Sequence, residues 1–500
     1  MTRQSLWRQR LVRVLVFQAP VFIAMSLALL VPLTVAFFDA DSLPTWHETR
    51  SYLIPAALAL LLGLVIRYRR PSIQSLSPND ALLITTAAWL VTGLLGAIPF
   101  ILLLNLSFTD AVLESVSGFT TAGTTMLTGL DSLPRSILVW RSLTQWLGGL
   151  GILLIVLLVG RTQGNQGLLL LSAEGVKVSS GRLSLNFQRA VYRFTVIYLV
   201  LTLGQTIITS ILGMSLFDSI LHAMTTVSTG GFSPHDESLT FYRNRPDQFP
   251  YFMLIETIVI IFMMAGGINF FVLYRLGRGK IAALWDGLEM KLVWLVVGLA
   301  TIVVTLNATY FFHGRLTDWL LRSTFLVASL VSTTGYETTA TGSFPRLSKE
   351  IFLMLMVLGG GAGSTAGGIK IIRLAILGKF LSYEIRQLRL PPHAIQMPRI
   401  DGRAVSNKAF RQAVFILLLW ILYLAFAGSI VSLLAPELKV IDAYSTVFSA
   451  IGVYGPSFVS VDTVIAFPDL AKWLLTLGML AGRLEILPLL VFFNLNAWRR

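Results

Sequence analysis

Four stretches of this chain set hydroxyls, small residues and glycine inside very apolar sequence: Phe119-Thr120-Thr121-Ala122-Gly123-Thr124, Val227-Ser228-Thr229-Gly230-Gly231-Phe232, Val331-Ser332-Thr333-Thr334-Gly335-Tyr336-Glu337 and, more loosely, Gly452-Val453-Tyr454-Gly455-Pro456-Ser457. The chemistry open to them is that of the main chain. Hydrocarbon cannot hydrogen-bond a bare backbone, so non-helical chain at membrane depth survives only inside protein or along a watery cavity. Glycine reaches backbone angles that other residues avoid, and its missing Cβ lets carbonyls crowd a central path. Rings of such carbonyls replace the water shell of a potassium ion in channel filters. One Thr-Thr-Gly is an ordinary helix-breaking turn; four in register are not explained that way.

Other chemistries are poorly served. His47, His222, His235, His313 and His393 are scattered, with no HExxH or comparable pairing. Zero cysteines exclude disulfides, thiolate metal sites and cysteine nucleophiles. An enzyme is not expected. The run Gly359-Gly360-Gly361-Ala362-Gly363-Ser364-Thr365-Ala366-Gly367-Gly368 invites comparison with a phosphate-cradling loop, but Lys370 follows Gly367-Gly368-Ile369 and has no hydroxyl neighbour. Small residues leave backbone able to swing on the μs–ms scale of gating elements, with a packing kink as the plain alternative. Arg483 lies deep in the last apolar run, where a charge is costly and marks function. A structural ion pair with Glu485 or a neighbouring helix is the alternative, although two positions apart on a helix the two do not face each other well.

The elements that must position these residues follow from composition. Hydrophobic residues are 55% of the 500 and charged residues 13%, and the mean hydropathy is +0.74. A chain this apolar belongs in a membrane, and its runs of about 20 apolar residues favour an all-α polytopic protein over a barrel. Residues 1–70 read as an N-terminal transmembrane hairpin. Its first run, about Leu15 to Phe38, is too long for a cleaved signal peptide and ends in a weak cleavage site. Four units follow, each a long helix, a short helix, a glycine turn and a returning long helix: 71–165, 166–285, 286–400 with the glycine-rich interruption, and 401–500. About ten full spans and four re-entrant half-helices account for nearly all of the chain.

Asp110, Asp218, Asp318 and Asp442 stand at the starts of the short helices, where an N-cap would satisfy free amides. In the third unit the distance to the glycine is longer, which makes Ser323 an alternative equivalent of Asp318. The helix C-termini then point at the glycine turns, and their partial negative charge favours a central cation. The formal charge of +14 sits mostly in one set of loops, Arg67 to Arg70, Arg161 to Arg193, Arg275 to Lys291, Lys370 to Arg411 and Arg499-Arg500. Those loops are therefore placed in the cytoplasm with both termini, and nucleic acid is not expected.

These residues resemble the Trk/Ktr/HKT superfamily of potassium transporters over about the whole chain after the first hairpin, and the hairpin is more like the Trk branch than the Ktr branch. The motifs that carry the resemblance are Trp140-Arg141-Ser142-Leu143-Thr144-Gln145-Trp146-Leu147-Gly148-Gly149, Ser332-Thr333-Thr334-Gly335-Tyr336, Ala362-Gly363-Ser364-Thr365-Ala366-Gly367-Gly368-Ile369-Lys370 and Gly482-Arg483-Leu484-Glu485. The resemblance implies a pseudo-fourfold, potassium-channel-like fold whose filter takes one glycine per repeat: Gly123, Gly230, Gly335 and Gly455, with Gly452 close enough to compete for the fourth place. Filter lining would extend to Thr120, Thr121, Ala122, Val227, Ser228, Thr229, Ser332, Thr333, Thr334, Val453 and Tyr454.

Glycine at 123 implies K⁺ as the transported ion, without a bound organic cofactor. The loop at Gly359, Gly360, Gly361, Gly363, Ser364, Thr365, Gly367 and Gly368, with Arg483 and more weakly Lys370, is implied to obstruct the path below the filter. The resemblance further implies a homodimer in a bacterial cytoplasmic membrane, regulated by a cytosolic RCK-type nucleotide-binding subunit such as TrkA or KtrA. Its docking surface would be the basic loops, notably Arg386 to Arg411. Broken helices and repeats also build ion-coupled carriers of organic solutes, which is the competing reading; those repeats are inverted, whereas here every glycine turn falls on the same side.

Overall fold

Long apolar runs with few breakers fold as helices wherever the backbone must satisfy itself, and helices dominate the computed structural model, which describes residues 3–38, 44–68, 77–162, 183–389 and 398–499. The leading hairpin is α1 (Arg3–Phe17) running into α2 (Ala19–Phe37), then α3 (Trp46–Tyr68). At the α1–α2 joint the Gln18 amide donates to Val14 O at 3.2 Å and Ile84 O at 3.1 Å, tying the hairpin to the first unit.

That unit is α4 (Pro78–Leu104), α5 (Phe108–Thr120) and α6 (Arg135–Thr162); the second is α7 (Leu183–Ile211), α8 (Leu216–Val227), α9 (Phe252–Gly267) and α10 (Phe270–Leu276). The third is α11 (Leu288–Phe312), α12 (Leu316–Ser332), α13 (Arg346–Val357) and α14 (Ile371–Gln387); the fourth is α15 (Asn407–Leu434), α16 (Val440–Gly452), α17 (Asp469–Arg483) and α18 (Leu487–Phe493). In every unit the first long helix packs on its own short helix. The return helix packs on the short helix of the next unit: α6 on α8, α9 on α12, α13 on α16, and α17 back on α5. The chain of contacts therefore closes into a ring.

Among the described residues six helices are long and apolar enough to cross a membrane, and two further pairs, α9–α10 and α17–α18, are bent by 116° and 118°. The first bend follows extended backbone at Ile268 and an Asn269 side chain that accepts from Phe271 N at 2.8 Å. The second passes through Glu485 and Ile486 at φ 60° and 63°. Between α13 and α14, β1 (Leu358–Gly359) pairs in parallel with β2 (Ile369–Lys370) and pinches the glycine-rich stretch into a loop. On the basic side β3 (Arg399–Ile400) and β4 (Arg403–Ala404) form a short antiparallel hairpin. Of the loops used to orient the chain, Arg69, Arg70, 163–182, 390–397 with His393, and Arg500 lie outside the described residues.

Return helices close on the short helices through glycine. A Cβ at Gly148 would stand 1.9 Å from Phe119 O, at Gly482 1.9 Å from Ile451 O, and at Gly266 2.9 Å from Val227 O. The second residue of each pair faces the following unit: a Cβ at Gly149 would meet Ser228 at 2.8 Å and one at Gly267 would meet Ser332 at 2.9 Å. In the fourth unit that second place belongs to Arg483. Gly148→Ala must push α6 off α5, and overpacking of this kind costs about 1–3 kcal/mol. The expected outcome is a lower melting temperature of the detergent-solubilised protein, with Gly151→Ala, where a Cβ meets nothing within 4 Å, as the unaffected control.

Candidate ion pathway

The short helices begin differently from the expectation. Ser107 and Ser215 are the N-caps, accepting from Asp110 N at 3.1 Å and Asp218 N at 3.0 Å, while α12 and α16 start after Arg315 and Lys439 with no side-chain cap. The four aspartates sit at the third helical position. There they still oppose the positive helix end, but a serine just ahead of the first turn is the group placed to accept from the free amide. In α12, Asp318 holds that same place, so Ser323 is not its equivalent; the helix is 17 residues long against 13, 12 and 13 in the other units.

Their C-terminal ends are alike. Thr121 N donates to Gly118 O at 2.9 Å and Ala122 N to Ser117 O at 2.9 Å; Thr229 N to Thr226 O at 2.9 Å and Gly230 N to Thr225 O at 2.8 Å; Thr333 N to Leu330 O at 3.1 Å and Thr334 N to Ser329 O at 2.9 Å; Val453 N to Ala450 O at 3.2 Å and Tyr454 N to Ser449 O at 3.0 Å. This is the paired closure that ends a helix on a left-handed residue. That residue is Thr121, Thr229, Thr333 and Val453, at φ 56°, 56°, 55° and 57°. None is glycine and all are β-branched, so each unit holds the same strained residue at the same place.

Two residues later the backbone is left-handed again, at Gly123 (φ 80°), Gly231 (79°), Gly335 (83°) and Gly455 (104°). This register corrects one expectation. Gly231, not Gly230, is the second unit's counterpart of Gly123; Gly230 occupies the place of Ala122, Thr334 and Tyr454. Gly452 ends α16, with Met356 O 2.3 Å from where its Cβ would be, and is not in the turn. A Cβ on Gly123 would lie 2.4 Å from Gly230 O, on Gly231 2.0 Å from Thr334 O, on Gly335 2.0 Å from Tyr454 O, and on Gly455 2.5 Å from Ala122 O. Each glycine thus abuts a carbonyl of the next unit, and the fourth returns to the first.

Behind these turns the units use different chemistry. Seven residues before the left-handed residue stand Glu114, His222, Leu326 and Thr446, all buried. Glu114 pairs with Arg141 at 2.8 Å. One turn on in α6, Gln145 donates to Gly230 O at 2.7 Å and accepts from Phe232 N at 3.0 Å, so the first unit holds the second unit's turn. His222 Nδ1 lies 3.2 Å from Tyr336 Oη, beside Thr225. Farther out His235 bridges Asp131 and Asp218, the latter at 3.4 Å, while stacking on Phe241.

Burial pushes the His235 imidazole down, but hydrogen bonds and charge from Asp218 and Asp131 outweigh it and hold it above its ordinary value. A raised folded-state value gives stability that is fully present below about pH 6.5 and lost as pH rises through the higher folded-state value. Melting temperature should fall across that interval, and His235→Gln should flatten this part of the profile.

The glycine-rich loop lies against the same turns. Thr365 Oγ1 donates to Val227 O at 3.0 Å and Gly266 O at 2.9 Å and lies 3.3 Å from Thr229 Oγ1. Gly367 N donates to Thr333 Oγ1 at 2.8 Å, and a Cβ there would meet Val453 at 2.4 Å. Gly361 N reaches Gly267 O at 2.8 Å and Ala362 N reaches Glu289 Oε1 at 2.7 Å. Gly359 and Gly368 face each other across the pinch, and Gly360, Gly363 and Ser364 are buried or nearly so within it. Arg483 is 2% exposed and donates to Thr365 O and to Gly148 O. Lys370 turns back onto Ala366 O. Glu485 pairs with Arg373 instead of Arg483, and among the described residues no carboxylate pairs with that arginine.

Thr121, Thr229, Thr333 and Val453 stand where the motifs put filter lining, but their left-handed conformation, and Glu114 and His222 as partners of Arg141 and Tyr336, are not marked by the motifs. The spacing of seven residues before each turn is the available signal for Glu114 and His222.

The chain matches the TrkH family, described as cation transport proteins, over residues 52–498. It is 30% identical over 464 residues to the Trk system potassium uptake protein TrkH of Escherichia coli K12, covering 90% of this chain and 92% of that one. It is 29% identical over 486 residues to TrkG of the same organism, covering 95% and 96%. The crystal structure of the potassium transporter TrkH from Vibrio parahaemolyticus superposes with a TM-score of 0.82 at 26% identity, covering 98% of this chain and 99% of that one.

Proposed function

The chain belongs to the TrkH family of cation transport proteins, and from that premise we propose that it is a potassium uptake protein whose ions pass through the ring of four turns. The observation that carries this reading is the cyclic contact of Gly123, Gly231, Gly335 and Gly455 with carbonyls of Gly230, Thr334, Tyr454 and Ala122. Carbonyls gathered at one level substitute for the hydration shell of a cation, and the short helices direct their negative ends toward it.

The loop at 359–370 closes the inner side of the ring in this conformation. Arg483 acts as a cationic barrier and as the loop's tether through Thr365 O, while Lys370 serves the loop's own fold. The four units, 71–165, 166–285, 286–400 and 401–500, are the four quadrants of one path, and 1–70 is an added hairpin. In the cell the protein is a homodimer in the cytoplasmic membrane with both termini inside. A cytosolic nucleotide-binding ring docks on the basic loops and draws the gate loop away from Thr229 and Thr333.

The test is rescue of a potassium-uptake-deficient strain in low-potassium medium, paired with radiolabelled rubidium flux into liposomes with the regulatory ring supplied. Growth and flux are expected; folded protein that gives neither overturns the proposal.

A further inference from the structure

Glu114 and Arg141 are 0% and 2% exposed, pair with each other, and both bond to the stretches just outward of the first two glycines. Glu114 Oε2 accepts from Met126 N at 2.7 Å and Thr125 Oγ1 at 3.0 Å. Arg141 gives Nε to Glu114 Oε1 at 2.8 Å, one terminal nitrogen to Thr125 Oγ1 at 3.1 Å and the other to Ser233 O at 3.1 Å, with its plane 4.2 Å over Phe232. Thr125 and Ser233 stand two residues beyond Gly123 and Gly231, so one guanidinium grips the same level of two adjacent quadrants.

In the third quadrant the residue two beyond the glycine, Glu337, accepts from Thr341 N of its own loop at 2.7 Å rather than from a neighbouring unit, and serines hold the adjacent residues of the third and fourth quadrants. Ser329 Oγ donates to Tyr336 O at 2.9 Å, and Ser445 Oγ accepts from Phe458 N at 3.0 Å. A buried charge pair is not needed for packing, since well-packed apolar residues stabilise a core as well or better. What a planar fork with fixed donors adds is a set distance between the groups that it joins.

We propose that the Glu114–Arg141 pair is a specificity-determining brace: it fixes the gap between the first and second stretches, and so the width of the carbonyl ring against the smaller sodium ion. This rests on the reading of the four turns as the ion path. Because neither side chain faces that path, both are positioning residues, and their effect is on discrimination more than on throughput.

The experiment is reversal potential under opposed K⁺ and Na⁺ in planar bilayers, with folding checked by melting temperature and gel filtration. Wild-type protein is expected to prefer K⁺; a wild type that conducts but does not discriminate overturns the filter reading itself. Given a selective wild type, Glu114→Gln should lower the K⁺/Na⁺ permeability ratio about tenfold, which is about 1.4 kcal/mol of relative barrier, while rubidium flux persists. Arg141→Lys keeps the charge but loses the fork to Ser233 O, so its ratio should fall between the two. If Glu114→Gln does not fold, the ratio of Arg141→Lys decides the matter. Folded variants with an unchanged ratio, or folded variants that conduct nothing, overturn the brace while leaving the filter reading intact.

Discussion

Gly231→Ser should lower K⁺ over Na⁺ discrimination by about tenfold or more, as should Gly335→Ser, because either side chain intrudes on a carbonyl ring. Both glycines have φ near 80°, at 79° and 83°, and a Cβ on either would lie 2.0 Å from a backbone oxygen of the next unit. Neither the torsion nor the contact can relax without moving that oxygen. Gly230→Ser is the informative contrast: Gly230 has no left-handed torsion, and its Cβ would meet the Gln145 side chain at 2.4 Å instead of backbone, so its cost is the loss of the Gln145 bonds to Gly230 O and Phe232 N and not a collision with a carbonyl of the next unit. Bi-ionic reversal potentials should therefore rank Gly231→Ser with Gly335→Ser and leave Gly230→Ser nearer to wild type. The opposite ranking would return the second filter place to Gly230.

Arg483→Ala should raise resting cation flux on the order of a hundredfold. A unit charge about 6 Å from a passing cation, at an effective dielectric of about 20, opposes it by about 3 kcal/mol. No carboxylate pairs with Arg483 among the described residues, Glu485 being held by Arg373, so the charge stands uncompensated except by the carbonyls of Thr365 and Gly148. The same substitution frees the loop at Thr365. Deleting 361–367 should raise flux for the second reason alone and by less. Rubidium uptake into liposomes without a regulatory ring reads both, and reduced flux in well-folded protein would make the loop a packing element.

What is legible in the residues, and what is not, divides along physical lines. Glycine turns between apolar runs, the glycine-rich break and a lone arginine at membrane depth are local features that composition exposes. The register of each turn is not, because it depends on where each short helix stops. Gly230-Gly231 offers two glycines, and only the helix-ending bonds at Thr229 and Gly230 decide between them. The N-caps differ from expectation for a similar reason: aspartate and serine both cap well, and Ser107 and Ser215 lie three residues earlier than the aspartates. Glu114 and Arg141 are 27 residues apart, and Tyr336 is 114 from His222. Pairs at such separations have no signature until the ring closes. The bends in the second and fourth returns lie in backbone at Ile268 and at Glu485-Ile486 that no run of breakers marks, whereas the third announces itself through its glycines.

Anomalous scattering from crystals grown in rubidium tests the account most directly. It predicts density on one axis encircled by main-chain oxygens of Ala122, Gly230, Thr334 and Tyr454, one from each unit, with Thr365 and Arg483 below. Density bound elsewhere, or a ring in which any one of the four oxygens faces away from the ion, would contradict it.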